Sequence, residues 1–409
     1  MHHKDHRTGG GMPCSRYTSE MTKSKFPTTR ELKHPVRAAE QGTTVHLAER
    51  SKSEVRSLGS ASSKPGAPEL LAPYRALLLE SKLVLVEEHR LKRILGSGGQ
   101  GVVYLAERVG ADDFMLPVAL KVFSPSGYAD VGAYDAAMTR MAQVAARVAR
   151  IQQDNLVDVH NLSALNRIRI LEMEWVDGYD LQRLLAAPML GRLHEVVSAV
   201  RWKSINDVVV TAGPTQARLK PGVAIAVLRD CLAALAALHR EGIIHGDIKP
   251  SNIMVKRTGN AKLVDIGSAH ERDSADAPVC TPVYAAPELL DGGCGSPQSD
   301  LASLGYVLVE MLAGKPPFAG TSDHDALGAA KRTLPGRLKG ILPKEVLCNG
   351  LLMSLIAKLI APKPADRFTS AEEADFLEQG AAGFHRQLVH SNLASEYGNE
   401  IRAWLEHVE

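Results

Sequence analysis

Cysteines are few in this 409-residue chain, and none sits in a CxxC or any other paired spacing: they are Cys14, Cys231, Cys280, Cys294 and Cys348. That scatter argues against a zinc site and against a disulfide framework, and it leaves free thiols in a reducing compartment as the expectation. Net charge is nearly absent too, at +2, so the chain as a whole does not read as a nucleic-acid or membrane-surface binder, and no nucleic acid is expected as a partner. Long apolar runs are also missing. The most apolar stretch, Val223 to His239, is short for a membrane span and carries Arg229 and Asp230 inside it, so it reads as a buried helix and no transmembrane segment is expected. The opening MHHKDHRTGGGMPC has positive charge with no apolar run behind it. A secretory signal is therefore not expected, and the location implied is cytoplasmic.

What the chain does have is an apolar share of 45%, enough for a sizeable core. Its distribution divides the sequence. Residues 1–82 are rich in Ser, Thr, Gly, Lys and Arg, with apolar residues too sparse to bury a face; the expectation is a largely disordered basic region ending in a linker, SLGSASSKPGAP. From Leu83 short β-branched runs follow one another (LVLVEEHRLKRILG, GVVYLAERV, PVALKVF), then a helical pattern over Ala133–Gln153, then two more strand-like runs, NLVDVHNL and RIRILEMEWV. Beyond Gly178 helical patterns dominate. This order predicts an α+β chain of two lobes with a cleft between them, a β-rich lobe over about 83–175 and a mainly helical one over about 176–379.

Gly96, Gly98 and Gly101 form a GxGxxG pattern within LGSGGQGVVY. Alone it is weak, because dinucleotide sites and ordinary turns share it. The segment after it, VVYLAERV, is β-branched and aromatic, so the loop joins two strands rather than a strand and a helix. Residues Gly96, Ser97, Gly98, Gly99, Gln100 and Gly101 then place backbone N–H groups within reach of phosphates, and Val103 lies against a purine. Lys121, in VALKV, falls inside an apolar strand where an unpaired ammonium is costly. ATP phosphates would satisfy it; a strand-edge lysine facing water is the plainer alternative.

The segment HGDIKPSNIMV, His245 to Val255, has the pattern HxDxKxxN, and Asp265 follows in LVDIGSA, where Ile266 replaces the phenylalanine of a DFG motif. Further on come Ala286-Pro287-Glu288 in TPVYAAPELL, the apolar SDLASLGYVLVEMLAGKPPF and Arg367 in PADRFTS. In these residues, in this order, the sequence resembles the eukaryotic-type serine/threonine protein kinases, including those of bacteria, from Leu83 to Gln379. The resemblance implies a bilobal kinase fold, ATP as cosubstrate with magnesium or manganese, and protein substrates. It implies that Asp247 accepts the substrate hydroxyl proton, Lys249 steadies the transferring phosphoryl group and selects Ser/Thr acceptors, and Asn252 and Asp265 hold metal. It places Lys121 on the phosphates, Ala119 and Met173 beside the adenine with Met173 as gatekeeper, and the backbone of Glu174 and Val176 facing the base. It also implies that Asp300 anchors the catalytic loop and that Arg367 pairs with Glu288.

The sequence departs from that family in four places. Residues 136–153 contain no acid to pair with Lys121, and the nearest, Asp135, would serve only if the helix were set differently. HGD lacks the arginine that clamps a phosphorylated activation loop, while Glu271, Asp273 and Asp276 sit beside Ser268 and Ser274, so loop phosphorylation is expected to matter less and Thr281 to shape the substrate loop. Residues 190–221 exceed the usual connection by roughly 25 residues, with WKSINDVVVTAG strand-like. The end, residues 380–409, has helical patterns in FHRQLVHSNL and IRAWLEHV. The insertion, the basic N-terminal region and the C-terminal helix are the three candidate docking sites for a partner, with a surface insertion without function as the alternative for the first and packing on the helical lobe as the alternative for the last. The missing acid keeps a nucleotide-binding pseudokinase or scaffold in view. HGD alone is shared with small-molecule phosphotransferases of the aminoglycoside type, which lack the APE segment and the glycine loop paired with VALK.

Overall fold

The computed structural model describes residues 67–85, 87–272, 274, 280–321, 323–389 and 397–408; the expected disorder of residues 1–66 lies outside them. The folded chain begins earlier than Leu83. Helix α1 (Pro68–Leu78) opens on a proline at its first turn and buries Leu70, Tyr74, Leu77 and Leu78, so residues 68–82 belong with the β-rich lobe rather than with a linker. The spacing of those four residues makes one apolar stripe, too short to be recognised among the prolines around it.

Six strands follow: β1 (Lys82–Val84), β2 (Glu88–Gly98), β3 (Gly101–Val109), β4 (Met115–Phe123), β5 (Val159–Leu165) and β6 (Ile168–Glu174). They form one antiparallel sheet in the order β1-β2-β3-β4-β6-β5. In its register Val103 lies opposite Lys121 and Ala119 opposite Met173, and because side chains alternate at period two, Ala119 and Lys121 share a face. Helix α2 (Val131–Val148), capped by Asp130 accepting from the Ala133 N–H, buries Tyr134, Met138, Met141, Val144, Ala145 and Val148.

The second lobe begins with β7 (Gly178–Asp180) and α3 (Leu181–Leu185) and is built on α6 (Pro221–Arg240) and α7 (Pro297–Ala313). Nearly every residue of α7 is buried, and 14 of the 20 residues of α6. Among the described residues α6 is the one helix long and apolar enough to cross a membrane, and 72% of its most apolar window is buried inside the fold. Between α3 and α6 lies the insertion: α4 (Ala187–Val196), α5 (Ala199–Val208), β8 (Val210–Ala212) and β9 (Ala217–Leu219). The strand-like reading of WKSINDVVVTAG is corrected here. Its first half is helical, started by the Ser198 cap, and only its end pairs as a hairpin with β9; the β-branched VVV that suggested a strand straddles the boundary between the two.

The C-terminal helices α8 (Ala381–Val389) and α9 (Tyr397–Leu405) pack on α6. Tyr397, Ile401, Trp404 and Leu405 are buried, and Glu400 lies 3.6 Å from Arg201 of the insertion. Of the two alternatives for the C-terminal segment, packing on the helical lobe is the one the structure shows. Arg367 is fully buried and donates to both oxygens of Glu288, at 2.6 and 2.8 Å, and to the carbonyls of Ala361, Gln298 and Pro362. Arg367→Met would leave the Glu288 carboxylate and three carbonyls without their donor. A loss of about 3 kcal/mol is expected, seen as a lower denaturant midpoint at unchanged slope; an unmoved midpoint would show that the pair contributes no stability.

Candidate functional site

The cleft between the lobes has a volume of about 770 Å³. Its roof is the loop Gly96–Gly101 together with Val103, Ala119 and Lys121; its back edge is Met173, Glu174 and Val176; its floor is Asp247, Lys249, Asn252 and Asp265. The structure thus brings the expected nucleotide, metal and catalytic residues to one cavity, while Asp300, Glu288, Arg367 and Asp135 lie outside its lining. Glu174 is held to Asp158 and Lys262: its carboxylate accepts from the Asp158 N–H at 2.7 Å and from Lys262, and its own N–H donates to the Asp158 carbonyl at 2.9 Å.

The floor is built from short elements between helices. Strand β10 (Ile243–Ile244) leads into His245-Gly246-Asp247, and the loop is held from below by Asp300 on α7, which accepts from the N–H groups of His245 and Gly246 at 2.9 Å each and from His239 Nε2 at 2.9 Å. Burial pushes the Asp300 carboxyl up, but the His239 bond, the nearby His245 and the Gly246 N–H outweigh it and hold the group below its usual range. The hairpin β11 (Ile253–Lys256) and β12 (Ala261–Leu263) then delivers Asp265 to the cleft.

Asp247 is buried at the cleft floor. Its Oδ2 accepts from Lys249 Nζ at 2.7 Å and its Oδ1 from the Thr281 hydroxyl at 2.6 Å. Lys249 also donates to Thr281 Oγ1, at 3.0 Å, which closes a triangle across the cleft floor. Asn252 donates its amide to the Asp247 carbonyl at 2.8 Å and to Asp247 Oδ2 at 3.2 Å, and this fixes the side-chain oxygen as its acceptor, which takes a long bond of 3.5 Å from the Ser251 hydroxyl. Asp265 adopts φ 65°, ψ 78°. Its Oδ1 accepts from Lys121 Nζ at 2.5 Å and from the Gly267 N–H at 3.0 Å. Burial raises the Asp265 carboxyl, yet the Lys121 ammonium and the Gly267 bond bring it below the ordinary value, so it stays an anion.

No group of three or more His, Cys, Asp or Glu suited to a metal occurs among the described residues. One carboxylate and one amide oxygen are nonetheless the kind of hard, sparse donor set that magnesium takes when phosphate and water oxygens supply the rest. The residues present fit such an ion.

The helix acid is absent, as the sequence indicated. The buried face of α2 is apolar. Asp135, the one acid in reach from sequence, is turned to the far side, where it binds Arg167 at 2.6 Å and Arg169 at 3.2 Å; two guanidiniums there hold it more firmly than a distant ammonium would. Sequence reasoning missed three contacts: the Thr281 bond to Asp247, the buried Lys331, which donates to the Val283 carbonyl at 2.6 Å over the rings of Tyr306 and Phe318, and the side chain of Gln100, which reaches Lys121. Their residue types are unremarkable in a linear pattern, and only the fold decides which way each points.

The protein kinase domain family matches residues 89–376. The chain is similar to the serine/threonine-protein kinase PknD of Mycobacterium tuberculosis, with 32% identity over 288 residues, which is 69% of this chain and 38% of that protein. It is 31% identical over 308 residues to PknL of the same organism, covering 73% of this chain and 65% of PknL, and 28% identical to PrkC of Bacillus subtilis, covering 70% of this chain and 39% of that protein. It thus spans less than two thirds of the length of each. The crystal structure of the Mycobacterium tuberculosis PknI kinase domain superposes with a TM-score of 0.50 at 23% identity, covering 76% of this chain and 99% of that one, a likeness of fold.

The carboxylate beneath the loop is directly testable. Asp300→Ala would leave two buried N–H groups and His239 Nε2 without an acceptor. A loss of about 2–4 kcal/mol is expected, so thermal unfolding should shift down by several degrees; an unshifted melting curve would mean that water or a neighbour replaces the carboxylate.

Proposed function

Because this chain belongs to the protein kinase family, we propose that it transfers the terminal phosphoryl group of ATP to serine or threonine hydroxyls of protein substrates. The observation that carries the reading is the meeting, in one cleft, of the Asp247–Lys249–Thr281 triangle on the floor with the ion pair that joins Asp265 of the floor to Lys121 of the roof.

In this reading the adenine lies between Val103 and Ala119 above and the Glu174–Val176 backbone at the edge, and the phosphates run under the glycine loop. Lys121 supplies positive charge to them. A magnesium or manganese ion, held by Asp265 and Asn252, supplies further neutralisation of phosphate charge. Asp247 is placed to accept the proton of the acceptor hydroxyl, which enters where Thr281 now donates to Oδ1. Lys249, bonded to the other oxygen, aims the carboxylate and offers its ammonium to the phosphoryl group in flight. Phosphoryl transfer needs positioning and charge stabilisation more than covalent chemistry, and these residue types provide both. The segment around Thr281 to Tyr284, tied to helical-lobe residues through Lys331 and Glu310, is the expected seat of the substrate peptide. A cytoplasmic location goes with this reading, supported by the free thiols of Cys231, Cys280, Cys294 and Cys348.

The second reading is a pseudokinase that binds nucleotide without turnover. It is favoured by the apolar buried face of α2, which presents no carboxylate to Lys121. Two variants separate the readings. Asp247→Asn should lower phosphate transfer from labelled ATP by at least about 100-fold while ATP affinity stays within a few-fold, because the base acts on the acceptor rather than the nucleotide; equal turnover in the mutant refutes the assignment of Asp247. Asp265→Asn should weaken magnesium-dependent ATP binding at least about tenfold and have no such effect in chelator. A titration in which wild type and mutant respond alike to magnesium would remove Asp265 as a metal ligand.

A further inference from the structure

The ammonium of Lys121 is almost wholly buried, and a buried lysine needs acceptors as well as an opposite charge. Asp265 provides the charge. The second acceptor comes from the loop above: Gln100 Oε1 accepts from Lys121 Nζ at 2.7 Å, and Gln100 Nε2 donates to the Ser268 hydroxyl at 2.7 Å. The amide's orientation follows from chemistry. A lysine has only hydrogens to give, so it must face the amide oxygen, and the amide nitrogen then points to an oxygen that can accept.

Two features of the backbone keep Gln100 in that position. Its carbonyl accepts from the Ser124 N–H at 2.9 Å, which pins the end of the glycine loop to the end of β4. The next residue, Gly101, has φ +142°, and a Cβ there would overlap the Val122 carbonyl, so only glycine lets the loop lie this close to the strand. On the other side, a Cβ at Gly267 would run into Lys121 Nζ and Gln100 Oε1. Any side chain at Gly267 would force Lys121 and Gln100 apart.

We infer that Gln100 is a positioning residue for Lys121, doing from the glycine loop what a helix carboxylate does in related kinases. The inference deepens the proposed function and rests on it only for the reaction that Lys121 serves. The substitution has a chemical consequence. A second carboxylate beside Asp265 would cancel more of the ammonium's charge, whereas an amide oxygen orients it without cancelling any further charge. It also makes the loop's closed position and the lysine's placement a single event, because the amide spans loop, strand and the turn after Asp265.

The test uses the full chain with Gln100→Met, which keeps length and removes both polar atoms, and Gln100→Glu, which keeps an acceptor for Lys121. Two readouts are needed: steady-state transfer with ATP, and the mass-spectrometric yield of Lys121 acylation by a nucleotide acyl phosphate, which reports where the amine is held whether or not turnover occurs. The expected result is a fall in kcat/KM for ATP of about 30-fold in Gln100→Met, a matching fall in Lys121 acylation, and recovery of most of both in Gln100→Glu. Wild-type kcat/KM and acylation in Gln100→Met would overturn the inference and leave the kinase reading standing. Tighter ATP binding with faster transfer in Gln100→Met would also overturn it, because the side chain would then be a plug that nucleotide must displace. If the wild type shows no transfer, while acylation still falls in Gln100→Met and returns in Gln100→Glu, the positioning role stands and the kinase reading fails.

Discussion

The contact between Lys121 and Asp265 is the constraint on which the rest of the arrangement depends. One partner, Lys121, stands almost wholly buried in the central region of a β-sheet, and the other, Asp265, at the end of a hairpin in the helical lobe with 32% of its side chain exposed to the cleft. The ammonium is not tolerable there alone. The two lobes must therefore meet at a separation that lets them touch, and that separation defines the cleft. What surrounds the pair is arranged to tolerate it: Gly267 gives an N–H to the same Asp265 oxygen and leaves room beside the ammonium, and the glycine loop leans in far enough to supply an amide oxygen.

Because α2 contributes no charge to this contact, it is held by other means. Its inner face is an apolar stripe packed into the β-rich lobe. At its N-terminal end Asp135 binds two arginines of the β5–β6 turn and β6, and at its C-terminal end Arg147 reaches Glu271 at 2.9 Å and the carbonyl of Glu241. The Arg147–Glu271 bridge is largely exposed and contributes on the order of 1 kcal/mol or less, so the buried methionines and valines carry the helix's position. Glu271, in the segment after Asp265, thus has a partner on the helix. The helical lobe shows a similar division: ion pairs such as Arg367 with Glu288 and Asp300 under the catalytic loop are buried and surrounded by further hydrogen bonds, whereas the Arg201–Glu400 contact between insertion and C-terminal helix lies at the rim of an apolar interface.

Much of the site was legible in the chain because its residues sit in short runs with fixed spacing. HGDIKPSN, LVDIG and the glycine loop each occupy one turn or hairpin, so their mutual placement is set by local geometry and survives in a linear reading. The strands themselves were likewise visible as short β-branched runs such as GVVYLAERV and PVALKVF. The helix at residues 68–78 and the helical half of WKSINDVVVTAG were not, because each is shorter than the window in which a period of 3.6 can be separated from a run of β-branched residues. Their structure comes from what they are packed against.

The sequence by itself determined the two-lobed order of strands and helices, the short motifs whose residues line the cleft, and the lack of any acid along 136–153 and hence the absence of a helix carboxylate for Lys121. Only the tertiary structure decided what replaces that carboxylate, which way Asp135 turns, and that the C-terminal helices cover α6 rather than stand free. The reason is one of range. Spacing along a chain fixes which residues share a turn, a strand face or a helix stripe, whereas the direction of a polar side chain such as Gln100 or Asp135 is chosen among partners distant in sequence, by burial, hydrogen-bond valence and charge at the point where the elements finally meet.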